Sequence, residues 1–527
     1  MTRKKSRSPA IPVVDLFAGP GGLGEGFSAF ECGGTEPFRL QLSIEKDPVA
    51  HETLRLRAFC RQFGLSGLPG AYYDVVRGLS TIGELYLRFP IEAELADREA
   101  WNATLGDLPR ATLNQRIRAA IQGRDRWVLI GGPPCQAYSV VGRSRNRGIS
   151  GYTAENDHRQ FLYVEYLKVI ADHWPAVFVM ENVKGLLSAS VNDSHIFHKI
   201  VEDLTAPGCA LRRENRSPTN GRRHTYRVVP IGASSTLLDG SGLADYLVQA
   251  ERHGVPQARH RVILVGIRDD LGSAALEPLK RIDEVPSNQV LDRLPRLRSG
   301  LSGGIDSAPA WLSALQKVPQ SAWFGSLKRG GDSGVARCIA DTVSKLTAPR
   351  QDRGAHFIEG DFEPPYRPDW FHDRRLGGVS QHETRLHVEA DLHRYLFVSS
   401  YGKWFGKSPR LRDLPFELLP EHANVQSALD FHGFFQDRFR VQLRHRAATT
   451  ITSHIAKDGH SYIHSDPSQC RSLTLREAAR IQTFPDNYFF AGARTKGYGQ
   501  VGNAVPPLLA LQIAESVYGL LRTSGAA

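Results

Sequence analysis

Four short apolar runs, spaced among longer amphipathic stretches, constrain this chain more than any other feature. Ile11-Pro-Val-Val-Asp-Leu-Phe17, Trp127-Val-Leu-Ile130, Val177-Phe-Val-Met180 and Val262-Ile-Leu-Val265 lack the strict polar alternation of a strand with one wet face. Runs of that kind suit strands covered on both faces, which requires helices on either side of a sheet. Between the second and third runs, His158 to Asp172 carries Leu162, Tyr166, Val169 and Ile170 at i, i+4, i+7 and i+8, one apolar face of a helix. From Ile11 to about Ile267 the chain therefore reads as an α/β sheet with connecting helices.

Beyond about Arg268 the pattern loosens. Ser299-Gly-Leu-Ser-Gly-Gly304 and Gly330-Gly-Asp-Ser-Gly334 stand among Pro-bearing joints and scattered aromatic and basic residues, which suggests a second domain. Helical periodicity returns at Thr474-Leu-Arg-Glu-Ala-Ala-Arg-Ile481, where Thr474 and Glu477 have capping-box spacing. It returns again from about Leu508 to Leu521, in a helix apolar enough to pack on the first domain. The 527 residues exceed what one core normally serves. The expected organisation is a basic tail at 1–10, a first domain at 11–268 completed by 496–527, and a second at 269–495 ending in a distinctive block at 447–487.

Charge narrows the partners. Lys and Arg number 66 against 55 Asp and Glu, a formal charge of +11, which favours a polyanion without identifying it. Cys32, Cys60, Cys135, Cys209, Cys338 and Cys470 form no C-x-x-C pair, so no zinc cluster or redox dithiol is expected and no metal is assigned. A reduced, cytoplasmic setting is expected. There is no basic-apolar leader and no run of about 18 apolar residues, so neither export nor membrane insertion is expected.

Five sites carry chemistry. The first strand runs into Asp15-Leu-Phe-Ala-Gly-Pro-Gly-Gly-Leu-Gly-Glu-Gly-Phe27, a glycine turn that lets a ligand approach the backbone beside a helix N-terminus. The plain alternative is a turn used only for packing. Leu42-Ser-Ile-Glu45 ends a second strand on a carboxylate that two ribose hydroxyls could each engage, unless Glu45 is only a solvated strand end. Gly131-Gly-Pro-Pro-Cys-Gln-Ala-Tyr-Ser139 follows a buried strand and puts Cys135 where open α/β sheets place ligands, although a single cysteine is as often an inert core residue. The next strand ends Val179-Met-Glu-Asn-Val183, so Glu181 shares that edge if the strands are neighbours. In Pro256-Gln-Ala-Arg-His-Arg-Val262, strand alternation sends Gln257, Arg259 and Arg261 to one side, suited to an anionic or carbonyl-rich ligand or to surface salt bridges.

Together these residues resemble the cytosine-5 DNA methyltransferase family. The glycine turn, Pro134-Cys135-Gln136, Glu181-Asn182-Val183, Gln257-x-Arg259-x-Arg261 and Gly502-Asn-Ala-Val-Pro-Pro507 occur in the family's order. Asp157-x-Arg159-x-x-Leu162 and Arg471-Ser-Leu-Thr-Leu-Arg-Glu-Ala-Ala-Arg-Ile-Gln-Thr-Phe-Pro485 also look like family blocks. The resemblance covers roughly Val13 to Gly266 and Ala447 to the last helix. The stretch between is where the family carries its variable target recognition domain, and there only position is carried over.

The resemblance implies a Rossmann-like S-adenosylmethionine-dependent methyltransferase sheet with a smaller, inserted recognition domain. It implies that Cys135 adds to C6 of a flipped-out cytosine, with Glu181 on the base's N3 and amino edge and Arg259 and Arg261 among the catalytic residues, Arg261 at its carbonyl oxygen. S-adenosylmethionine would lie among Phe17, Gly19, Gly22, Glu45, Pro134, Leu162 and Asn503. The family's acidic residue after the third strand falls on Asp74, with Asp107 as competitor. The implied partner is double-stranded DNA, with a separately acting restriction endonuclease and a monomeric enzyme. His382-Glu-Thr-Arg-Leu-His387 with Arg374, Arg375 and Arg385 is a candidate for phosphate contacts and for reading base edges, against an ordinary solvated helix face. A tRNA methyltransferase built on the same motifs and a silent DNA-binding relative are the rival readings.

Overall fold

Each of the four apolar runs contains a buried strand in the computed structural model, which describes residues 10–64, 67–134, 162–188, 190–191, 194–213, 224–232, 242–330, 333–420 and 438–525. The main sheet comprises β1 (Ile11–Leu16), β2 (Phe38–Glu45), β3 (Ala100–Asn102), β4 (Val128–Gly131), β5 (Val177–Val183), β6 (Tyr226–Pro230), β7 (Leu247–Gln249) and β8 (His260–Arg268). Its order is β3-β2-β1-β4-β5-β8-β6, with β7 also paired to β8. The first five strands in this order are mutually parallel, and β8 runs antiparallel to β5, β6 and β7. The order reverses between β1 and β4, which opens a crevice at their carboxyl ends.

Two helical layers cover the sheet. Strand residues Val13, Ile130, Val179 and Val265 share a core with α1 (Gly22–Ser28) and with the last helix, Pro507–Thr523, through Phe27, Leu509, Ile513 and Val517. On the other face Val14, Leu129, Met180 and Leu264 pack against Ile117 and Ile170, from Arg110–Ile121 and Leu162–His173. Each such side chain, fully buried, contributes about 1.5–3 kcal/mol. The sequence expectation of strands covered on both faces holds because neither face is left wet.

Between β2 and β3 the chain makes a helical excursion. Asp47 caps α2 (Pro48–Arg61) by accepting from the Val49 and Ala50 amides. Next come α3 (Gly70–Arg77) and two further helices, Ile82–Arg88 and Pro90–Glu99. Their apolar sides enclose Phe59, Tyr72, Val76 and, from far along the chain, Leu376.

The region beyond Arg268 is more helical than its Gly and Ser content suggests. Helices Ala308–Gln316, Ala322–Arg329, Ser333–Ser344 and Glu389–Phe405 surround a core of Trp311, Phe324, Ile339 and Leu396. The serines start helices: Ser307 accepts from the Ala310 amide and Ser321 from the Phe324 amide. A hairpin of β9 (Gly354–Glu359) and β10 (Gly378–Glu383) packs on α4 (Leu475–Ile481). The Thr474 capping box forms as expected. Around α4, Arg471 makes two 2.7 Å contacts with Glu477, and Arg480 clasps Asp486 at 2.8 and 2.6 Å.

The C-terminal stretch Arg494–Thr523 holds α5 (Arg494–Asn503) and α6 (Pro507–Thr523). By length and composition it is apolar enough to cross a membrane, although the sequence showed no uninterrupted apolar run. Its apolar window is 67% buried within the protein, as in a core helix.

Candidate active site

The glycine turn leaves β1 through two left-handed positions, Phe17 (φ 59°) and Gly19 (φ 58°). The Gly19 amide donates to Glu45 Oε2 at 2.9 Å, and the Asp47 amide to Oε1 at 2.8 Å. One carboxylate thus ties the end of β2 to the turn after β1. A Cβ on Gly22 would collide with the Val505 carbonyl, so glycine there lets the corner between α5 and α6 sit directly on the turn. Asn503, exposed at the end of α5, belongs to that corner. Phe17, Gly19, Gly22, Glu45 and Asn503 therefore converge on one edge of the sheet.

The neighbouring strand ends form a second cluster. β4 and β5 are paired with Gly131 opposite Met180, so Glu181 leaves β5 beside the loop that leaves β4. A Cβ on Gly132 would stand 3.0 Å from Glu181 Oε2, and Asn182 Nδ2 donates to the Pro133 carbonyl at 3.3 Å. Arg261 enters from antiparallel β8 and brings Nε to 2.8 Å from Glu181 Oε1. Both side chains are largely buried, 12% and 15% exposed. Burial pulls the Arg261 guanidinium below its ordinary range, while the Glu181 carboxylate opposes that shift. Pro134 is half-buried where the loop continues, and Leu162 half-buried where its helix begins. Cys135, Asp157 and Arg159 lie outside the described residues.

Three expectations change. Arg259 does not join Arg261 on Glu181: it is buried and donates to the Ile451 carbonyl at 2.6 Å and the Gly502 carbonyl at 3.2 Å. The strand alternation assumed from Gln257 to Arg261 breaks because the Arg259 amide donates to the Gln257 carbonyl in a tight turn. Gln257 follows Arg259 towards the C-terminal block, donating to Gln482 and accepting from the Ile451 amide.

Asp74 follows no strand. It lies on α3 with Arg77 at 3.7 Å. The third strand is Ala100–Asn102, whose Asn102 pairs with Glu45, so Asp107 is the first acidic residue after it. Three residues with one buried leave no apolar run to read.

The His382–His387 cluster is neither a solvated helix nor an open reading surface. His382 lies buried in β10 between Thr474 Oγ1 (2.8 Å) and the Pro295 carbonyl (2.9 Å). His387 is held by Ser299 Oγ at 2.7 Å. Arg385 bonds the Ile455 carbonyl and Arg375 the Leu68 carbonyl. Arg374 and Arg375 are both exposed, Arg374 at 88%, whereas Arg385 is half-buried.

One contributor escaped sequence reasoning. Tyr488 donates its hydroxyl to the Pro20 carbonyl inside the glycine turn, with the Arg57 guanidinium over its ring at 4.5 Å. Its only sequence signal is the aromatic triplet Tyr488-Phe-Phe490 behind the α4 block.

A family model described as C-5 cytosine-specific DNA methylase matches residues 103–210 and 419–519. The chain is 30% identical over 530 residues to the type II methyltransferase M.Bpa9945I of Bacillus paralicheniformis, covering 96% of this chain and 98% of the relative. It is 28% identical to the DNA (cytosine-5-)-methyltransferase M.ApeKI of Aeropyrum pernix over 76% and 83% of the two chains. Among solved structures, the Entamoeba histolytica methyltransferase EhMeth aligns with 11% identity, a TM-score of 0.41, and coverage of 98% and 99%.

Proposed function

Because the chain belongs to the C-5 cytosine-specific DNA methylase family, we propose that Cys135, Glu181 and Arg261 perform its methyl transfer at the carboxyl ends of β4 and β5 and the amino end of β8. The enzyme is a DNA (cytosine-5-)-methyltransferase that uses S-adenosylmethionine and acts on DNA. The observation that carries the residue assignment is the Glu181–Arg261 pair, pressed against the glycine that precedes Pro133-Pro134-Cys135.

The residues of the glycine turn fit the cofactor. Each Glu45 oxygen takes one backbone N–H and keeps lone-pair capacity for a ribose hydroxyl. Gly22 lets the α5–α6 corner close on the turn at Val505, and Asn503 stands at that border. Phe17, Pro134 and Leu162 supply apolar surface, and Asp107 is the acidic group placed after β3. When bound, S-adenosylmethionine supplies an electrophilic methyl group on sulfur.

The chain's own residues must make cytosine C5 nucleophilic, since the intact ring is a poor donor at that carbon. The Cys135 thiolate adds to C6, which turns C5 into an enamine carbon. Glu181 holds the N3 and amino edge and stabilises the protonated adduct, and Arg261, fixed by Glu181, faces the ring carbonyl. After methylation, loss of the C5 proton expels the thiolate and restores aromaticity. Because C6 is shielded in a stacked duplex, the nucleotide must leave the helix, at a cost of a few kcal/mol.

The separate core around Trp311 and Leu396 supports a target recognition domain inserted at 269–495. The type II names of the relatives support a modification role beside a separately acting restriction endonuclease.

The test incubates the protein with duplex DNA or tRNA and S-adenosylmethionine, then sequences the products for 5-methylcytosine, with Cys135→Ala alongside. Site-specific 5-methylcytosine in duplex DNA from the parent only is expected. Methylation of tRNA alone would overturn the substrate, and activity surviving in Cys135→Ala the nucleophile.

A further inference from the structure

Asp373, Arg374 and Arg375 form a turn that leads into β10, and both outer residues are tied down. Asp373 Oδ2 accepts from the Tyr73 hydroxyl at 2.8 Å and from Asn487 Nδ2 at 2.9 Å. Its Oδ1 accepts from the Arg375 amide at 3.0 Å. Arg375 donates to the Leu68 carbonyl at 2.6 Å, and its guanidinium lies 4.9 Å from the Tyr73 ring centre. Arg77, from α3, donates to the Arg375 carbonyl at 2.8 Å and to the Leu376 carbonyl at 3.2 and 3.1 Å. Leu376 itself is fully buried among Phe59, Tyr72 and Val76.

The turn is thus clasped from two sides, by α3 and by the segment that follows α4. That segment reaches the site's edge directly: Asn487 precedes Tyr488, whose hydroxyl bonds Pro20 in the glycine turn. Arg374 stands between the fixed residues and points to solvent. Its ion pair among the described residues is a 4.0 Å approach to Glu363. An 88% exposed guanidinium whose carboxylate partner stands at 4.0 Å keeps donors for another anion, on a backbone that is held firmly.

We propose that Arg374 is a DNA phosphate contact, and that Tyr73, Arg77 and Asp373 are positioning residues that present it. The inference rests on the proposed action on duplex DNA, and it gives the helical excursion between β2 and β3 a part in substrate binding. A guanidinium fixed at its Cα but free at its tip suits a phosphate, because a backbone contact sets the register of the duplex. Neutralising one phosphate also releases a counterion, so the contact has a signature that a purely structural residue lacks.

The test measures binding of the full-length enzyme to a labelled duplex carrying its methylated target sequence, at several salt concentrations, together with KM for S-adenosylmethionine. Arg374→Ala is expected to weaken duplex binding about tenfold and to lower the salt slope by about one, leaving the cofactor KM unchanged. Arg374→Lys is expected to restore the slope. Tyr73→Phe, which removes one hydroxyl, is expected to weaken binding about threefold with an unaltered melting temperature. An unchanged affinity and slope in Arg374→Ala would overturn the contact. A Lys variant that fails to restore the slope would overturn the phosphate assignment, and a Tyr73→Phe variant that loses only stability would overturn the positioning role. Methylation by the parent protein is measured separately, so failure here is distinguishable from failure of the functional reading.

Discussion

The edge of the sheet and the α4 block both bury arginines, and they use them differently. In the α4 block every guanidinium is consumed by the protein: Arg471 by Glu477, Arg480 by Asp486, and Arg476 by Ser380 and the Pro485 and Tyr488 carbonyls. At the sheet edge Arg261 has one carboxylate and its own neighbour's carbonyl, and that carboxylate is Glu181, beside the loop leading to Cys135. A saturated guanidinium sets the position of the backbone. One held by a single flank has donors left for a substrate. Arg259, two residues from Arg261, falls on the scaffold side of this line.

The comparison breaks most visibly at Glu181. Glu181→Gln should lower kcat by about 10²–10³, as expected for loss of a group that stabilises a charged adduct. Single-turnover methylation measures it, and a fall of only twofold would place Glu181 with the scaffold. Glu477→Gln should do the reverse, destabilising the fold by about 3–5 kcal/mol because Arg471 is left buried without its anion. Urea unfolding reads that loss. Arg259→Met should raise the cofactor KM about tenfold with little change in kcat, because it loosens the segment carrying Gly502 and Asn503 rather than the reacting atoms.

The smallest expected effect is in pH. Burial holds His382 and His464 down to about 4, below the ordinary value for histidine. Between about pH 4 and 6.5 both are neutral in the folded state and gain a proton on unfolding. Their contribution is therefore fully present above about pH 6.5 and is lost as pH falls towards 4. His382→Gln should flatten the dependence of the urea midpoint between pH 6.5 and 4.5. An unchanged slope would remove His382 from the scaffold's titration.

What could be read from sequence follows the same division. β1, β4, β5 and β8 announce themselves because strands buried on both faces must be apolar throughout, and Glu181 was legible because a carboxylate interrupts such a run. The Thr474–Glu477 cap was legible because its donors are three residues apart. Asp74 misled because β3 is too short to carry a pattern, so the count of strands was lost in the helices after α2. Arg259 misled because alternation holds only inside a strand, and a turn at Gln257 cancels it. The His382 cluster depended on contacts with Pro295 and Thr474, which no local spacing encodes. The helices from Ala308 to Ser344 were obscured because their capping serines also occur in loops.

The contact of Gly22 with Val505, and of Gly26 with Ala510, has a consequence for how the protein comes into being. The glycine turn is synthesised well before the residues that close over it, since Val505 and Ala510 lie far along the chain. A growing chain therefore carries an unfinished cradle, with Leu23 and Phe27 lacking their partners on α6, until that helix has been made. Contacts of such sequence separation are slow to form, and the exposed surface invites association in the interval. Methylating capacity should arise abruptly once α6 has emerged, rather than growing with chain length.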